Sequence, residues 1–250
     1  MKEVYKKKTS REHILERPNM YIGANNLISS TEYILENDKM IQKDVEFVPG
    51  LLKIINEIID NSVDIAIKTD FKGCDEVSVK MSDEYVEIVD NGPGIPVKKN
   101  EDEEYLPFVC WGYAMSGSNF DNDENRKAIG MNGVGSYCTN VWSKKFTGIS
   151  DDGLNRYEVT FKNNASQFVE TVKKTSKKGV SVKFYPDLER FGLEKITQTH
   201  IELIKQRLIN LSMSFPKITF KFNGKKIGVN SFKKYVQMFG DVFEIFESEK

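Results

Sequence analysis

The clearest pattern of hydrophobic and polar positions follows Pro49-Gly50 and runs through LLKIINEIIDNSVDIAIKT. Its apolar side chains recur at helical spacing and form one face, consisting of Leu51, Ile55, Ile58, Ile59 and Val63. The pattern therefore predicts a long amphipathic helix. A shorter helix is predicted from a cap at Ser10 to Glu16, because Pro18 prevents its continuation.

Short apolar stretches elsewhere predict strands. They lie near residues 77–81, 85–89, 145–149, 157–161, 168–172, 180–185 and 218–222. Further helices are predicted at 136–143 and near 197–213, and Asn223-Gly224 predicts a turn. Strict alternation of strand and helix is absent. The chain is therefore expected to form an α+β fold, a sandwich with a mixed, mostly antiparallel sheet and helices on one face.

One segment has little periodicity. Residues 95–130 are acidic and rich in Gly and Asn, as in NEDEEY and GSNFDNDEN. A loop this long is uncommon in a compact domain and is often a functional lid. This segment is interpreted as a lid.

Composition narrows the possible classes. The chain has 250 residues with 36 Lys+Arg and 37 Asp+Glu, a net charge of −1, which argues against a surface dedicated to coating nucleic acid. Three widely spaced cysteines argue against a disulfide framework or zinc site and favour the cytoplasm. The only histidines, His13 and His200, are interpreted as ordinary surface or helix residues. No stretch approaches the ~18–20 apolar residues of a membrane span.

The long helix carries a polar stripe. Glu57, Asn61 and Asp64 lie at positions i, i+4 and i+7, on one side of the helix. A carboxylate can accept a proton from water, and an amide oxygen can ligate Mg²⁺. A solvated helix face explains the same pattern equally simply, and for the helix alone it is the favoured interpretation.

Two glycine-rich turns are the other candidates. DNGPGIP, residues 90–96, follows a strand: it is either a tight turn or a place where Asp90 accepts a hydrogen bond from an amine while the glycines admit a flat ring. GMNGVGS, residues 130–136, opens a helix and could cradle phosphate. Its spacing fits neither a Walker loop nor a dinucleotide fingerprint.

The order of these motifs resembles the Bergerat nucleotide-binding fold, a two-layer sandwich shared by gyrase-type topoisomerases, ninety-kilodalton heat-shock chaperones, histidine kinases and mismatch-repair ATPases. EHILERPNMYIG, VPGLLKIINEIIDNSVD, DNGPGIP, GMNGVGS and NGKKIGVNSFKKYVQMF resemble the ATPase region of type IIA DNA topoisomerases, notably the T-even bacteriophage kind. The resemblance runs from about Tyr5 to Phe239.

The resemblance implies a role for each matching residue. Glu57 would be the general base, Asn61 would hold Mg²⁺, and Asp90 would bind the adenine amine. Tyr5 would reach the nucleotide of a second protomer. Other residues would line the ATP site: Asn91, Gly94, Ile95 and Pro96 at adenine, Ser118 and Asn119 at ribose or phosphate, and Gly130, Asn132, Gly133, Val134, Gly135 and Ser136 at the phosphates.

Four places depart from the family pattern. Pro93 and Ile65 stand where an Arg and an acidic residue are common, which removes both partners of a peripheral ion pair together. Ala128-Ile129 replace a Thr/Ser-Gly pair before Gly130. Val180 replaces a Thr that usually supports the adenine site, so one hydroxyl contact is expected to be missing.

The resemblance implies an arm at 1–12 and an ATPase domain at 13–245 with a lid at about 95–130. Transducer and DNA-cleavage domains would be absent, so turnover would be slow. ATP and Mg²⁺ would be the cofactors, and ATP would dimerise the domain into a gate that captures DNA, with other topoisomerase subunits as partners. The alternatives are a chaperone-type or repair-type ATPase clamp and a nucleotide-binding scaffold that does not hydrolyse ATP.

Overall fold

The fold is known from a computed structural model, which describes residues 7–115 and 133–240. Its strands are β1 (Ile28–Glu36), β2 (Lys39–Phe47), β3 (Glu76–Met81), β4 (Val86–Asp90), β5 (Ser143–Asp152), β6 (Asn155–Lys162), β7 (Gln167–Lys174), β8 (Lys178–Pro186), β9 (Thr219–Phe222) and β10 (Lys225–Lys226). Its α-helices are α1 (Ser10–Glu16), α2 (Pro49–Lys68), α3 (Leu106–Gly112), α4 (Gly135–Val141), α5 (Gln198–Ser214) and α6 (Phe232–Val236).

Eight of these strands form one sheet in the order β10-β9-β3-β4-β8-β5-β6-β7. Neighbouring strands are antiparallel except for β3 and β9, which run parallel. The predicted α+β class, with a mixed and mostly antiparallel sheet, is confirmed. None of the helices in the described ranges is long and apolar enough to cross a membrane.

The helices cover the apolar face of this sheet. Along β4, Val86 and Ile88 are buried, and their register partners on β8, Phe184 and Val182, are buried as well. The intervening positions, Glu87 and Val89, are half-buried. Period-two alternation thus gives the sheet one face for the core and one for solvent. Full burial of each large apolar side chain favours folding by roughly 1.5–3 kcal/mol.

A separate hairpin, β1–β2, was not predicted from the sequence. Its strands join through Asn37 and Asp38, both with positive φ, as a two-residue hairpin turn requires. Most of its residues are exposed or half-buried, and only a few apolar ones, including Ile34 and Phe47, pack with Leu203 of α5. The apolar pattern was therefore too sparse to predict strands.

Two local predictions need correction. Thr9, rather than Ser10, caps α1: its side chain accepts from the backbone of Glu12, whose carboxylate accepts from the Thr9 amide.

The predicted lid is not a loop throughout, because Leu106–Gly112 forms α3, with Phe108 and Trp111 buried against the sheet layer. Residues 116–130 lie outside the described part of the chain.

His200 lies in a helix, α5, but it is buried and is not an ordinary surface residue. It has no exposed surface, and its Nε2 accepts a hydrogen bond of 2.9 Å from the backbone N–H of Val48, the N-cap of α2. Its Nδ1 lies 2.6 Å from the Thr197 hydroxyl at the N-cap of α5. The neutral imidazole therefore joins the first turns of two helices.

Candidate nucleotide site

Helix α2 carries the first part of the site. Pro49 stands at the N1 position of α2, where a backbone N–H would have no partner within the helix. The apolar face of α2 is anchored in the core by Leu51, Ile55 and Ile59. Glu57 lies on its opposite side, 22% exposed, and forms an ion pair with Lys53 one turn earlier. Asn61 is exposed. Asp64, the third member of the predicted stripe, is buried at 4% exposure, so the stripe is not simply a solvated face.

Helix α4 begins directly against α2. The Asn61 amide Nδ2 donates to the Ser136 hydroxyl at 2.8 Å, and the Thr139 hydroxyl donates to the Ile54 carbonyl at 2.8 Å. At the start of α4, a Cβ on Gly135 would lie 1.8 Å from Oε2 of Glu57. A side chain at position 135 would therefore displace the Glu57 carboxylate. We call the region formed by Glu57, Asn61 and the start of α4 the phosphate end.

Asp90, at the end of β4, forms the opposite part of the site. It is 5% exposed, and Oδ1 accepts from the backbone N–H of Gly92 at 2.9 Å and of Val180 at 3.3 Å. Oδ2 accepts from the Ser62 hydroxyl at 3.0 Å. Burial raises the pKa of Asp90, and the three hydrogen bonds act in the opposite direction. The carboxylate is therefore held in one orientation.

The turn after Asp90 is fixed by close backbone contacts. Gly94 has φ +79°, and a Cβ there would lie 2.1 Å from the Asp151 carbonyl. Ile95 exchanges hydrogen bonds with the buried Ser150 hydroxyl, at 2.7 Å from its N–H and 2.8 Å to its carbonyl. We call the region formed by Asp90, Gly94 and Ile95 the base end.

A single helix joins the two ends. Asn61 bonds to α4 at the phosphate end, and the next residue, Ser62, bonds to Asp90 at the base end. The site thus has a buried oriented carboxylate on one side. On the other it has a carboxylate, an amide and a glycine-led helix start. That combination suits a ligand with a hydrogen-bond donor at one end and negative charge at the other.

The structure does not bring every predicted residue to this site. Asn91 turns its side chain to the start of β3, where Oδ1 accepts from Asp75 and Glu76 and Nδ2 donates to Asp75. Gly133, with φ +60°, and Val134, the N-cap of α4, precede Gly135. Tyr5, Ser118, Asn119, Gly130 and Asn132 lie outside the described residues. The roles of all these residues toward a ligand stay predictions.

Sequence reasoning missed three supporting residues. Ser62 orients Asp90, Ser150 fixes the backbone of Ile95, and Lys53 pairs with Glu57. For Lys53 the signal was available, since it lies at i−4 from Glu57 on a predicted helix. The other two contacts span 28 and 55 residues, and nothing in the local pattern indicates them.

Two departures from the family pattern are now located. Ile65 is partly buried, and its Cγ2 would be 3.0 Å from a Cβ at Gly92, so it packs against the turn. Val180 pairs with Asp90 across β8 and β4 and supplies a backbone N–H in place of a side-chain hydroxyl. The hydroxyl that bonds to Asp90 belongs to Ser62 of α2.

The residues fit a magnesium ion that takes few protein ligands. Within residues 7–115 and 133–240 there is no group of three His, Cys, Asp or Glu side chains arranged to hold a metal. Asn61 bonds to Ser136 through Nδ2, which leaves Oδ1 as the atom suited to a cation. Mg²⁺ commonly binds through one or two protein oxygens, with substrate phosphates and water completing the shell.

Comparison with known proteins defines the class. Residues 48–190 match the profile of the histidine kinase-, DNA gyrase B- and HSP90-like ATPases. This range contains both ends of the site and most of the large sheet. The chain belongs to this ATPase family.

Similar proteins include type II DNA topoisomerases. The large subunit of the enterobacteria phage T4 topoisomerase is 37% identical over 242 residues, covering 95% of this chain and 46% of that protein. DNA topoisomerase 2 of Candida glabrata is 33% identical over 245 residues, covering 95% and 17%. The ATPase region of Saccharomyces cerevisiae topoisomerase II superposes with a TM-score of 0.88 at 29% identity, covering 94% and 64%.

Within the family, the chain therefore groups with the ATPase regions of type II topoisomerases. It spans about half the length of the phage relative and less than a fifth of the yeast one.

Proposed function

We propose that this chain binds ATP with Mg²⁺ and hydrolyses it to drive DNA strand passage by a type II topoisomerase. The observation that carries the proposal is the arrangement around α2: one helix contacts an oriented buried carboxylate through Ser62 and a glycine-led helix start through Asn61. A nucleotide has a base with a donor group at one end and phosphates at the other, which matches this arrangement.

Each end would have a separate task. Asp90 would accept a hydrogen bond from the adenine amine, and the Gly94 turn would admit the flat ring. At the phosphate end, Glu57 would accept the proton of the attacking water. Its Oε1 pairs with Lys53 and its Oε2 lies beside Gly135, so the second oxygen is the one nearer the phosphates. Asn61 would hold Mg²⁺, which neutralises phosphate charge when bound. Phosphoryl transfer needs mainly such positioning and charge stabilisation.

Beyond nucleotide hydrolysis, we propose that ATP dimerises the domain into a gate. Tyr5, in the N-terminal arm, would reach the nucleotide of the second protomer, and the closed gate would hold a DNA segment during strand passage. The support for this step is the similarity to the T4 large subunit and to type II topoisomerase ATPase regions.

The nucleotide proposal is tested by isothermal titration of the chain with a non-hydrolysable ATP analogue and Mg²⁺. We expect saturable binding by the wild type and loss of binding in Asp90→Asn, because the amide presents a donor where an acceptor is needed. Asp187→Asn is the matched control, since Asp187 is equally buried at 5% exposure and pairs with Arg190. Absence of binding by the folded wild type would refute the proposal.

The gate proposal needs its own measurement. Sedimentation of the chain with and without the analogue should show a nucleotide-dependent dimer, and Tyr5→Ala should weaken it. A chain that binds the analogue and stays monomeric at every concentration would contradict the gate while leaving ATP binding intact.

A further inference from the structure

The buried carboxylate of Asp90 has a nearly complete set of hydrogen bonds within the protein. A carboxylate can accept at about four lone-pair positions, two on each oxygen. The backbone N–H groups of Gly92 and Val180 both bond to Oδ1, and the Ser62 hydroxyl bonds to Oδ2. Among the residues that the structure describes, these three donors leave one accepting position, on Oδ2.

The hydroxyl that bonds to Asp90 comes from helix α2 and not from the neighbouring strand β8. Val180 is the register partner of Asp90 on the neighbouring strand, so the two side chains lie on the same face of the sheet, next to each other. Valine cannot donate a hydrogen bond, and strand β8 supplies only its backbone N–H. Ser62 approaches from α2 and is 4% exposed, so water cannot readily replace its hydroxyl.

Resting on the proposed function, we propose that Ser62 is the positioning residue that orients Asp90 toward the 6-amino group of a purine. It occupies one position of Oδ2 and directs the remaining one to the ligand. An ionised carboxylate only accepts hydrogen bonds, so a ligand group at the remaining position must donate one. A 6-amino purine does so, whereas a 6-oxo purine presents an acceptor there and is rejected.

The same residue connects the two ends of the site. Ser62 follows Asn61 directly in α2, so the backbone that sets the Asn61 side chain at the phosphate end also sets the Ser62 hydroxyl at the base end. A shift of the α2 backbone at Ser62 would therefore act on both ends of the site, whereas loss of the Ser62 hydroxyl alone acts on the base end.

The experiment titrates the full chain with a non-hydrolysable ATP analogue and its inosine counterpart. Ser62→Ala should bind the ATP analogue about tenfold more weakly, since a hydrogen bond to a charged group is lost. Binding of the inosine analogue should change less than threefold, so discrimination shrinks. Ser212→Ala is the matched control, because Ser212 is a serine buried at 2% exposure in the other long helix, α5.

Rescue distinguishes positioning from a general structural effect. Val180→Thr, added to Ser62→Ala, places a hydroxyl beside Asp90 from strand β8 and should restore affinity for the ATP analogue to within threefold of the wild type. If Ser62→Ala does not fold, Ser62→Cys takes its place: the thiol is a weaker donor, and intermediate affinity is expected.

A pH series gives a second readout. The Ser62 hydrogen bond acts to lower the pKa of Asp90, so its removal lets Asp90 protonate at higher pH. A protonated carboxyl loses acceptor strength, and the wild-type to Ser62→Ala affinity ratio should grow as the pH falls from 8 to 5. Ionisation of the triphosphate cancels in this ratio.

The outcomes separate this inference from the proposed function. If the wild type does not bind the ATP analogue, the proposed function is refuted, and the inference that rests on it is refuted as well. If the wild type binds and Ser62→Ala binds equally well or better with an unchanged pH profile, Ser62 has no positioning role and ATP binding stands. A weakened Ser62→Ala that Val180→Thr does not rescue would also overturn the inference.

Discussion

The base end and the phosphate end of the site are built in different ways. At the base end Asp90 is buried and receives three hydrogen bonds, and the turn after it is confined by the Asp151 carbonyl and Ser150. At the phosphate end Asn61 is exposed, and Glu57 is half-buried beside an exposed lysine. Asp90 and the turn after it are preorganised in the sheet, whereas Glu57 and Asn61 stand on one helix near solvent.

This difference implies that the two ends respond differently to mutation. Polar groups in a buried, fully bonded network are coupled to folding, because a lost partner leaves an unsatisfied group. Groups near solvent can change with little effect on stability. Changes at the base end should therefore affect both stability and affinity, and changes at the phosphate end should affect turnover.

The largest effect is expected from Glu57→Gln. The amide keeps the size of the side chain beside Gly135 but cannot accept a proton, so steady-state phosphate release should fall by about 10²–10⁴. Affinity for the ATP analogue should change less than tenfold. Glu158→Gln, on the polar face of the sheet, is the control. If Glu57→Gln lost affinity and turnover equally, the two ends of the site would not have separate effects on binding and on turnover.

The next largest effect should come from Gly94→Ala at the base end. A side chain there combines an unfavourable φ with a Cβ 2.1 Å from a backbone oxygen, and the unfolding free energy should drop by about 3 kcal/mol. Gly192→Ala is the matched control: its φ is +66°, but nothing lies within 4 Å of its Cβ position, so about 1 kcal/mol is expected. Urea denaturation measures both, and similar costs would argue against a confined turn.

His200, which bonds to the start of α2, should give a comparable effect on the free energy of unfolding, and this effect depends on pH. Burial lowers the pKa of His200 to about 4, while the unfolded value is about 6.5. Between these values the unfolded chain binds more protons, so stability rises with pH. The contribution is complete above about pH 6.5 and is lost as the pH falls to about 4, a change of about 3 kcal/mol.

His200→Gln isolates this contribution. Glutamine can still accept from the Val48 N–H but does not titrate, so the variant should lose less stability than the wild type on acidification. Denaturant unfolding at several pH values between 4 and 7 makes the comparison. Parallel pH profiles for the two proteins would show that His200 does not titrate in this range.

The smallest effect is expected from Ser150→Ala. It removes the acceptor for the Ile95 N–H and the donor to its carbonyl, which should cost about 1–2 kcal/mol of stability and weaken ATP-analogue binding severalfold. Ser143→Ala is a suitable control, because Ser143 is equally buried and its hydroxyl donates to Thr139. If Ser150→Ala binds the ATP analogue as tightly as the wild type, the hydrogen bonds between Ser150 and the turn do not contribute to ligand binding at the base end.

Prediction succeeded where the signal was local. The apolar period predicted α2, which runs from Pro49 to Lys68. The roles predicted for Gly94 and Gly135 toward a ligand stay predictions. Prediction failed where the local hydrophobic pattern was weak, or where contacts with residues distant in the chain determine the structure. The hairpin β1–β2 has few apolar residues, and α3 lies inside an acidic stretch. For His200, both partners lie at helix starts, and one of them is 152 residues away.

By itself the sequence determined the long helix, the class of fold and the order of the three motifs, because period and glycine placement are local properties of the chain. The tertiary structure decided which groups surround Asp90. Ser62 and Val180 reach that carboxylate from a helix and a strand 28 and 90 residues away, and Asn91 turns to β3. Hydrogen bonds form between groups that packing brings within about 3 Å, and packing depends on the whole sheet rather than on neighbouring residues.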